Sequence, residues 1–385
     1  MLNFTLQNPT KIIFGKNQIK NLAKEIPANK RILLTYGGGS IKSNGVYNKV
    51  IKALKNHVVF EFGGIAPNPK FEQLLAAIPI IKKNKIDFLL AVGGGSVIDG
   101  TKFIAAAANY KGDPWKIVTQ DPSPIEHALP IGCVLTLPAA ASEMNCGIVI
   151  SKTNSPDKIS SGNDLLYPQF AILDPTTTFS LPPRQTANGI VDTFIHVTEQ
   201  YLTYPVGAHL QDRLAESILL TLIEEAPRVL SDPKDYNARA NLMWSATWGL
   251  NDFIGVGVPN DWATHMLSHE ITSRFGLDHG QAIAIVVLSL LSLKRKQKKE
   301  KILQYAKRIW NITQGSDNEK IDEAITKTKN FFESLGIKTK LSCYGITKNQ
   351  VPVLIKQLKS HKLTALGEHG DIDLKQSEKI YRGCF

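Results

Sequence analysis

Hydrophobic and polar positions follow one rhythm in the first half of the chain and another in the second. Residues 1–14 alternate apolar and polar and read as strand. Ile32-Leu33-Leu34-Thr35-Tyr36 and Phe88-Leu89-Leu90-Ala91-Val92 are continuous apolar runs, the pattern of strands buried on both faces. Val58-Val59-Phe60-Glu61-Phe62, Ile131-Gly132-Cys133-Val134-Leu135-Thr136, residues 147–151 and Phe170-Ala171-Ile172-Leu173 add further strands. Helical periodicity fills 45–55, 71–83 and 97–108 between them, which predicts a parallel sheet covered by helices on both faces. Beyond Pro182-Pro183 the strand signals stop. A 3.6-residue rhythm then runs through 185–201, 209–230, 237–249, 262–275, 281–293, 299–312, 318–335 and 350–360. The expected architecture is an α/β parallel-sheet domain at 1–180 followed by an all-α domain at 181–385.

Composition narrows the class. Apolar residues at 43% and charged residues at 21% are ordinary for a globular chain with a large core. No charged-then-apolar leader opens it, and the apolar run at 282–293 is about half of the ~20 residues that span a membrane. Cys133, Cys146, Cys343 and Cys384 lack CxxC or framework spacing, so a reducing cytoplasm is the expected setting. The net charge is +11, and the densest basic run is Lys294-Arg295-Lys296-Gln297-Lys298-Lys299-Glu300-Lys301. That run has no interleaved aromatics and reads as a solvated helix face, so no nucleic-acid partner is expected.

Two glycine turns carry the first chemical signal. Gly37-Gly38-Gly39-Ser40 and Gly93-Gly94-Gly95-Ser96 each close a strand and open a helix. Glycines let backbone approach a pyrophosphate, and free N–H groups at a helix start favour its charge. The first turn is where a doubly wound, Rossmann-like domain handles the adenosine end of a dinucleotide. Asp99 follows Ser96 by three residues, and Asn68 lies in the turn Ala66-Pro67-Asn68-Pro69. The pattern is not GxGxxG, so a variant of that fold is expected.

The second signal is a set of histidines. Asp192 and His196 are i, i+4 on one helix face. His265 and His269 are one turn apart on another helix, and His279 follows the break at Gly276. Asp192, His196, His265 and His279 offer three imidazoles and a carboxylate to a divalent metal, in either a catalytic or a closed structural site.

Gly93 to Lys102, the Asp192/His196 pair and the His265 to His279 spacing together resemble the iron-containing alcohol dehydrogenase family, from the first strand to about Asp371. The nearest look-alikes are its NADP-dependent butanol dehydrogenases and broad-range aldehyde reductases. The resemblance implies a cytoplasmic homodimer that interconverts small aldehydes and primary alcohols with NADP(H) and one Fe²⁺ or Zn²⁺. It assigns the metal to Asp192, His196, His265 and His279, with His269 a further histidine near the nicotinamide and a candidate proton donor. It assigns the pyrophosphate turn to Gly94, Gly95 and Ser96, with Asp99 beside it, and cofactor contacts to Asn68, Thr136 and Lys158. Gly38 matches the position of a carboxylate in NAD-using members, so Gly37, Gly38, Gly39 and Ser40 imply room for a 2′-phosphate, with Lys42 nearby. One departure is Ala140, where the family often has a hydroxyl residue. The aromatic stretch Trp244, Trp248, Phe253, Ile254 and Trp262 suits a small uncharged substrate. It argues against the rival reading, a lyase or synthase of the dehydroquinate synthase type. A non-enzymatic cofactor-binding protein would have no use for the metal ligands.

Overall fold

In a computed structural model that describes residues 1–385, six parallel strands form one sheet. They are β1 (Lys11–Phe14), β2 (Arg31–Tyr36), β3 (Val58–Phe62), β4 (Phe88–Gly94), β5 (Ile131–Leu137) and β8 (Phe170–Leu173), in the order β1-β8-β5-β4-β2-β3. Side chains alternate across the sheet because successive Cβ atoms point to opposite faces. Leu33, Leu89, Ala91, Cys133 and Ala171 pack on one side with Ile98, Phe103 and Ile104 of the Gly95–Ala107 helix. Ile32, Leu34, Leu90, Val134 and Ile172 pack on the other with Val46 and Val50 of the Val46–Ala53 helix. Strands this apolar have no face to give to water, which is why their sequences read as continuous runs.

Strand order reverses at β2 and β4: the chain leaves β2 for the edge strand β3, returns to β4, and then moves away on the other side. In such sheets the crevice outside the carboxyl ends at the reversal is where ligands bind. Both glycine turns follow these two strands.

The antiparallel pair β6 (Gly147–Ser151) and β7 (Lys158–Gly162) stands apart from the main sheet. Residues 1–10, expected as strand, are not; Met1, Leu2 and Phe4 are exposed, and only Lys11–Phe14 finds a partner strand, β8. The expected helix at 71–83 is two helices, Phe71–Leu75 and Ala77–Asn84.

The chain divides into two compact units. One comprises residues 7–181 and 233–247 and contains the sheet. The other comprises residues 1–6, 182–232 and 248–385 and is helical. Its helices include Pro183–Tyr201, His209–Ser231, Ala263–Phe275, His279–Lys294, Lys299–Trp310, Asp317–Ser334 and Val351–Ser360, with a last one, Leu374–Gly383, that the periodicity did not announce.

The basic run is largely neutralised inside this helical unit. Lys294 pairs with Asp371, Arg295 with Asp322, Lys298 with Asp261 and Glu368, Lys299 with Asp317, and Lys301 with Asp212. Lys298 is fully buried, so its charge serves the fold. It is not the solvated face that the sequence implied. No helix is long and apolar enough to cross a membrane.

Candidate functional site

Three helices of the helical unit bring the histidine set together. Pro183 stands at the first turn of the Pro183–Tyr201 helix, where its missing N–H costs nothing, and the helix then buries nearly its whole middle. Asp192 and His196 project from one face of it, as their spacing requires. The Ala263–Phe275 helix supplies His265 and His269 and ends at Gly276 in the left-handed conformation (φ 71°), which turns the chain directly into the next helix. That helix, His279–Lys294, begins with a capping box of Asp278 and Gln281. The Asp278 carboxylate also accepts from Arg184 Nε (2.6 Å) and Nη2 (2.7 Å) and from Asn188 Nδ2 (2.7 Å), tying the start of the His279 helix to the Asp192 helix. Gly280 lets the two backbones meet, since a Cβ there would lie 2.8 Å from Asn188 Cα.

Asp192 Oδ1 is the hub. His279 Nε2 lies 3.4 Å from it, and His265 Nε2 and His196 Nδ1 each lie 3.7 Å away. Asp192, His265 and His279 offer ligand atoms all within 4.8 Å of one another; His196 lies outside that set but stacks on His265 with ring centroids 4.3 Å apart. Asp192 Oδ1, His196 Nδ1 and His265 Nε2 are buried and have no hydrogen-bond partner. Leaving three such atoms unsatisfied is costly, and a cation at their centre would satisfy all of them at once. The residues therefore fit a divalent metal. Burial alone would raise the Asp192 carboxyl, but the imidazoles of His196, His279 and His265 hold it well below the ordinary carboxylate range. Burial pushes His196 down to about 4, keeping it a neutral ligand.

His269 is buried, with its ring 5.3 Å from that of His279, and lies outside the cluster of Asp192, His265 and His279. Trp262 adopts the left-handed conformation (φ 57°) just before the Ala263–Phe275 helix and sets its ring edge-on to His196 and His265, at 6.3 and 5.8 Å between centroids. Of the aromatic stretch, Trp244 belongs to the sheet unit, where it packs edge-on to Phe14.

Glu199 belongs to the site as well, although the spacing of the histidines does not reveal it. Its Oε2 accepts from His265 Nδ1, and its Oε1 accepts from the Thr264 N–H at 2.6 Å. It follows Asp192 by seven residues, two helical turns, so the face that carries Asp192 and His196 carries it too. Although burial works against it, the Glu199 and Asp192 carboxylates hold His265 raised, to about 9. Below that pH a proton competes with the metal for His265 Nε2, so metal affinity is expected to rise with pH. From this group alone the gain is about 50-fold between pH 7 and pH 9, close to tenfold for the first unit and less as the pH reaches the group's own value. His196 is already neutral across that range and adds nothing. In the metal-free protein the sign for stability is opposite: the His265 contribution is complete below its unfolded value of 6.5 and is lost as pH rises through about 9. Zn²⁺ titrations at pH 7 and pH 9 check this, and an affinity independent of pH would contradict it.

In the sheet unit, Gly93 and Gly94 permit close packing: an added Cβ would meet Val97 at 2.5 Å and Leu137 at 2.9 Å. Gly95 opens the Gly95–Ala107 helix facing open space, so the helix start is accessible to an anion. The Asn68 N–H donates to Ser96 Oγ at 3.3 Å, which brings Asn68 to the same turn. Thr136 lies at the carboxyl end of β5, next to β4. Lys158 heads β7, and its charge acts on Asp99. Asp99 itself is engaged internally: Ser142 Oγ donates to one oxygen at 2.5 Å and the Val149 N–H to the other at 3.0 Å. It braces the wall of the turn. At the other turn Gly38 and Ser40 are exposed, and Gly39 takes φ +99°. Lys42 turns back to Glu61 (3.3 Å) and over the Tyr36 and Tyr47 rings, so its charge is already matched. Ala140 offers no hydroxyl; its carbonyl accepts from Asn145 Nδ2 at 3.0 Å.

The family model "Iron-containing alcohol dehydrogenase" matches residues 9–175, and its C-terminal companion matches 186–382. The chain belongs to the iron-containing alcohol dehydrogenase family. It is 55% identical to the NADPH-dependent aldehyde reductase YqhD of Escherichia coli, with 100% of each chain covered, and 38% identical to NADH-dependent butanol dehydrogenase A of Clostridium acetobutylicum, again with 100% of each covered. A solved structure of the Escherichia coli aldehyde reductase superposes with a TM-score of 0.94 at 54% identity, covering 100% of both chains. That of an NADH-dependent butanol dehydrogenase from Thermotoga maritima gives 0.95 at 33%, covering 100% of this chain and 99% of the other. The family's two-part build, a parallel-sheet half followed by a helical half, is the one the chain adopts. Nothing in these matches supports the dehydroquinate synthase reading.

Proposed function

We propose that this protein is a metal-dependent NADP(H) oxidoreductase that reduces small aldehydes to primary alcohols and catalyses the reverse reaction. The observation that carries the reading is the buried convergence of partnerless Asp192 Oδ1, His196 Nδ1 and His265 Nε2 on one point, in a chain 55% identical to an aldehyde reductase. Residues 1–180 hold the dinucleotide and 181–385 the metal and substrate. When bound by Asp192, His196, His265 and His279, Fe²⁺ or Zn²⁺ would polarise the aldehyde oxygen while NADPH supplies hydride. Three imidazoles and one carboxylate accept either ion.

The chain's own contributions follow from its geometry. Asp192 gives the centre its negative charge. Once an ion has displaced the His265 proton the imidazoles around it are neutral, so the site would keep net positive character when loaded. Trp262 shields the His196 and His265 rings from water and lends the site an apolar wall. The backbone N–H groups of Gly94, Gly95 and Ser96 bind pyrophosphate oxygens, and Gly37 to Ser40 receive the 2′-phosphate. His269, as the imidazolium, would give its proton to the alkoxide oxygen that hydride transfer leaves, become a neutral imidazole and regain the proton from solvent. His269→Ala is then expected to keep its metal and lose about 10²–10⁴-fold in kcat. An unchanged kcat, with hydride transfer rate-limiting, would make His269 a packing residue.

The reading includes a cytoplasmic homodimer, in keeping with the four free cysteines and the family resemblance. Absorbance of NADPH in the presence of metal-replete protein and butanal tests the activity. Oxidation that requires both protein and aldehyde is expected; none with any short aldehyde would overturn it.

A further inference from the structure

We propose that Glu199 is a positioning residue of the metal centre, which fixes the nitrogen that His265 presents to Asp192. The inference rests on the proposed metal site but concerns a residue outside the ligand set.

An imidazole that is to bind a cation through Nε2 must carry its single proton on Nδ1. In a buried site that choice is made by whatever faces Nδ1. Here it is a carboxylate, which can only accept. Glu199 is 3% exposed, and His265 Nδ1 is bonded to its Oε2. Held this way, His265 turns a lone pair on Nε2 toward Asp192 Oδ1, 3.7 Å off, and neither atom has a partner. A hydroxyl or amide in place of Glu199 could accept or donate, and the ring would be free to adopt the other tautomer.

The same carboxylate sets the height and phase of the helix that carries His265. Glu199 Oε1 accepts from the Thr264 N–H at 2.6 Å, one of the unpaired donors in the first turn, and the Glu199 carbonyl accepts from the Asp261 N–H at 2.9 Å. Asp261 in turn is held by buried Lys298 at 2.9 Å and takes the Ala263 N–H at 3.1 Å. Both oxygens of Glu199 are therefore committed to one helix start. The left-handed Trp262 sits between these anchors.

A plain helix-capping role and a tautomer-setting role separate in Glu199→Gln. Glutamine has one accepting oxygen. If it keeps the Thr264 bond, its NH₂ faces His265 Nδ1 and drives the proton to Nε2; if it flips, the Thr264 N–H meets a donor. The variant is expected to hold its helical circular dichroism and to bind Zn²⁺ about 10–100-fold more weakly in a chelator competition. The d–d absorption of its Co²⁺-loaded form should shift. Zn²⁺ affinity within twofold of wild type and an unchanged Co²⁺ spectrum would reduce Glu199 to a cap. Should the variant not fold, the wild-type protein still decides. Long-range ¹H–¹⁵N spectra of the metal-free chain at alkaline pH, where the ring is neutral, must show His265 protonated on Nδ1. Protonation on Nε2 would overturn the proposal. Failure of the wild type to bind metal at all would count instead against the metal site.

Discussion

The His196→Ala protein should fold, bind NADPH, retain almost no metal and lose at least about 10²–10³-fold in turnover, the scale of removing a preorganised electrostatic partner from a transition state. The effect follows from the position of the ring. His196 is buried, faces Asp192 Oδ1 at 3.7 Å and stacks on His265, yet its Nδ1 makes no bond that would hold the fold together. Truncation leaves a small cavity beside His265 and Trp262, against which the ring packs, a cost in the ordinary range of about 1–3 kcal/mol. On the proposed reading the NADPH site lies at the strand ends of the sheet unit, so its affinity should be little affected. Elemental analysis, circular dichroism and NADPH fluorescence titration check the three parts. Metal retained at wild-type stoichiometry would remove His196 from the ligand set.

Gly38→Asp should lower kcat/KM for NADPH about 10–100-fold while leaving NADH much less affected. A new carboxylate near a 2′-phosphate repels it by about 1–4 kcal/mol at ~4 Å, between water-like and protein-like dielectric. The same group can accept from the ribose 2′-hydroxyl of NADH. The substitution is a clean one. Gly38 is exposed, a Cβ there meets nothing within 4 Å, and its backbone is not in the left-handed region that Gly39 occupies. Wild-type enzyme is expected to prefer NADPH. The relatives divide on this point: the Escherichia coli aldehyde reductase is NADPH-dependent, the Clostridium butanol dehydrogenase NADH-dependent. A wild-type preference for NADH, or a ratio unmoved by Gly38→Asp, would contradict the role given to this turn.

What could be read from the sequence was whatever burial or turn chemistry imposes locally. The apolar strands at β2 and β4 had no alternative to a covered sheet, and the glycines after them marked the turns. The i, i+4 spacing put Asp192 and His196 on one face before any fold was known. Tertiary partners were not legible. Glu199 reads as an ordinary helix residue, and only the approach of the Ala263–Phe275 helix gives it a proton to accept. Asp99 stands beside a glycine turn, and its hydrogen bonds from Ser142 and Val149, more than forty residues away, are announced by no local pattern. Lys-Ile-Ser-Ser-Gly at β7 is too polar to announce a strand and pairs only because β6 lies alongside. Residues 1–10 have the alternation of a strand but form no ladder; the Leu2 N–H donates to the Gly257 carbonyl at 2.9 Å instead. The final helix, Leu374–Gly383, is short and charged; its one local signal is Asp373, which caps it by accepting from the Gln376 N–H at 2.7 Å.

The central claim is that the Asp192 centre must be loaded for aldehyde reduction to occur. It is tested most directly by stripping the wild-type protein with a chelator, restoring graded Fe²⁺ or Zn²⁺, and following NADPH oxidation with butanal at each step. Turnover should be absent from the stripped protein, rise in proportion to bound metal and level off at about one ion per chain, as a single site of this donor set requires. Undiminished turnover in protein stripped of metal, with its fold intact, would contradict the account.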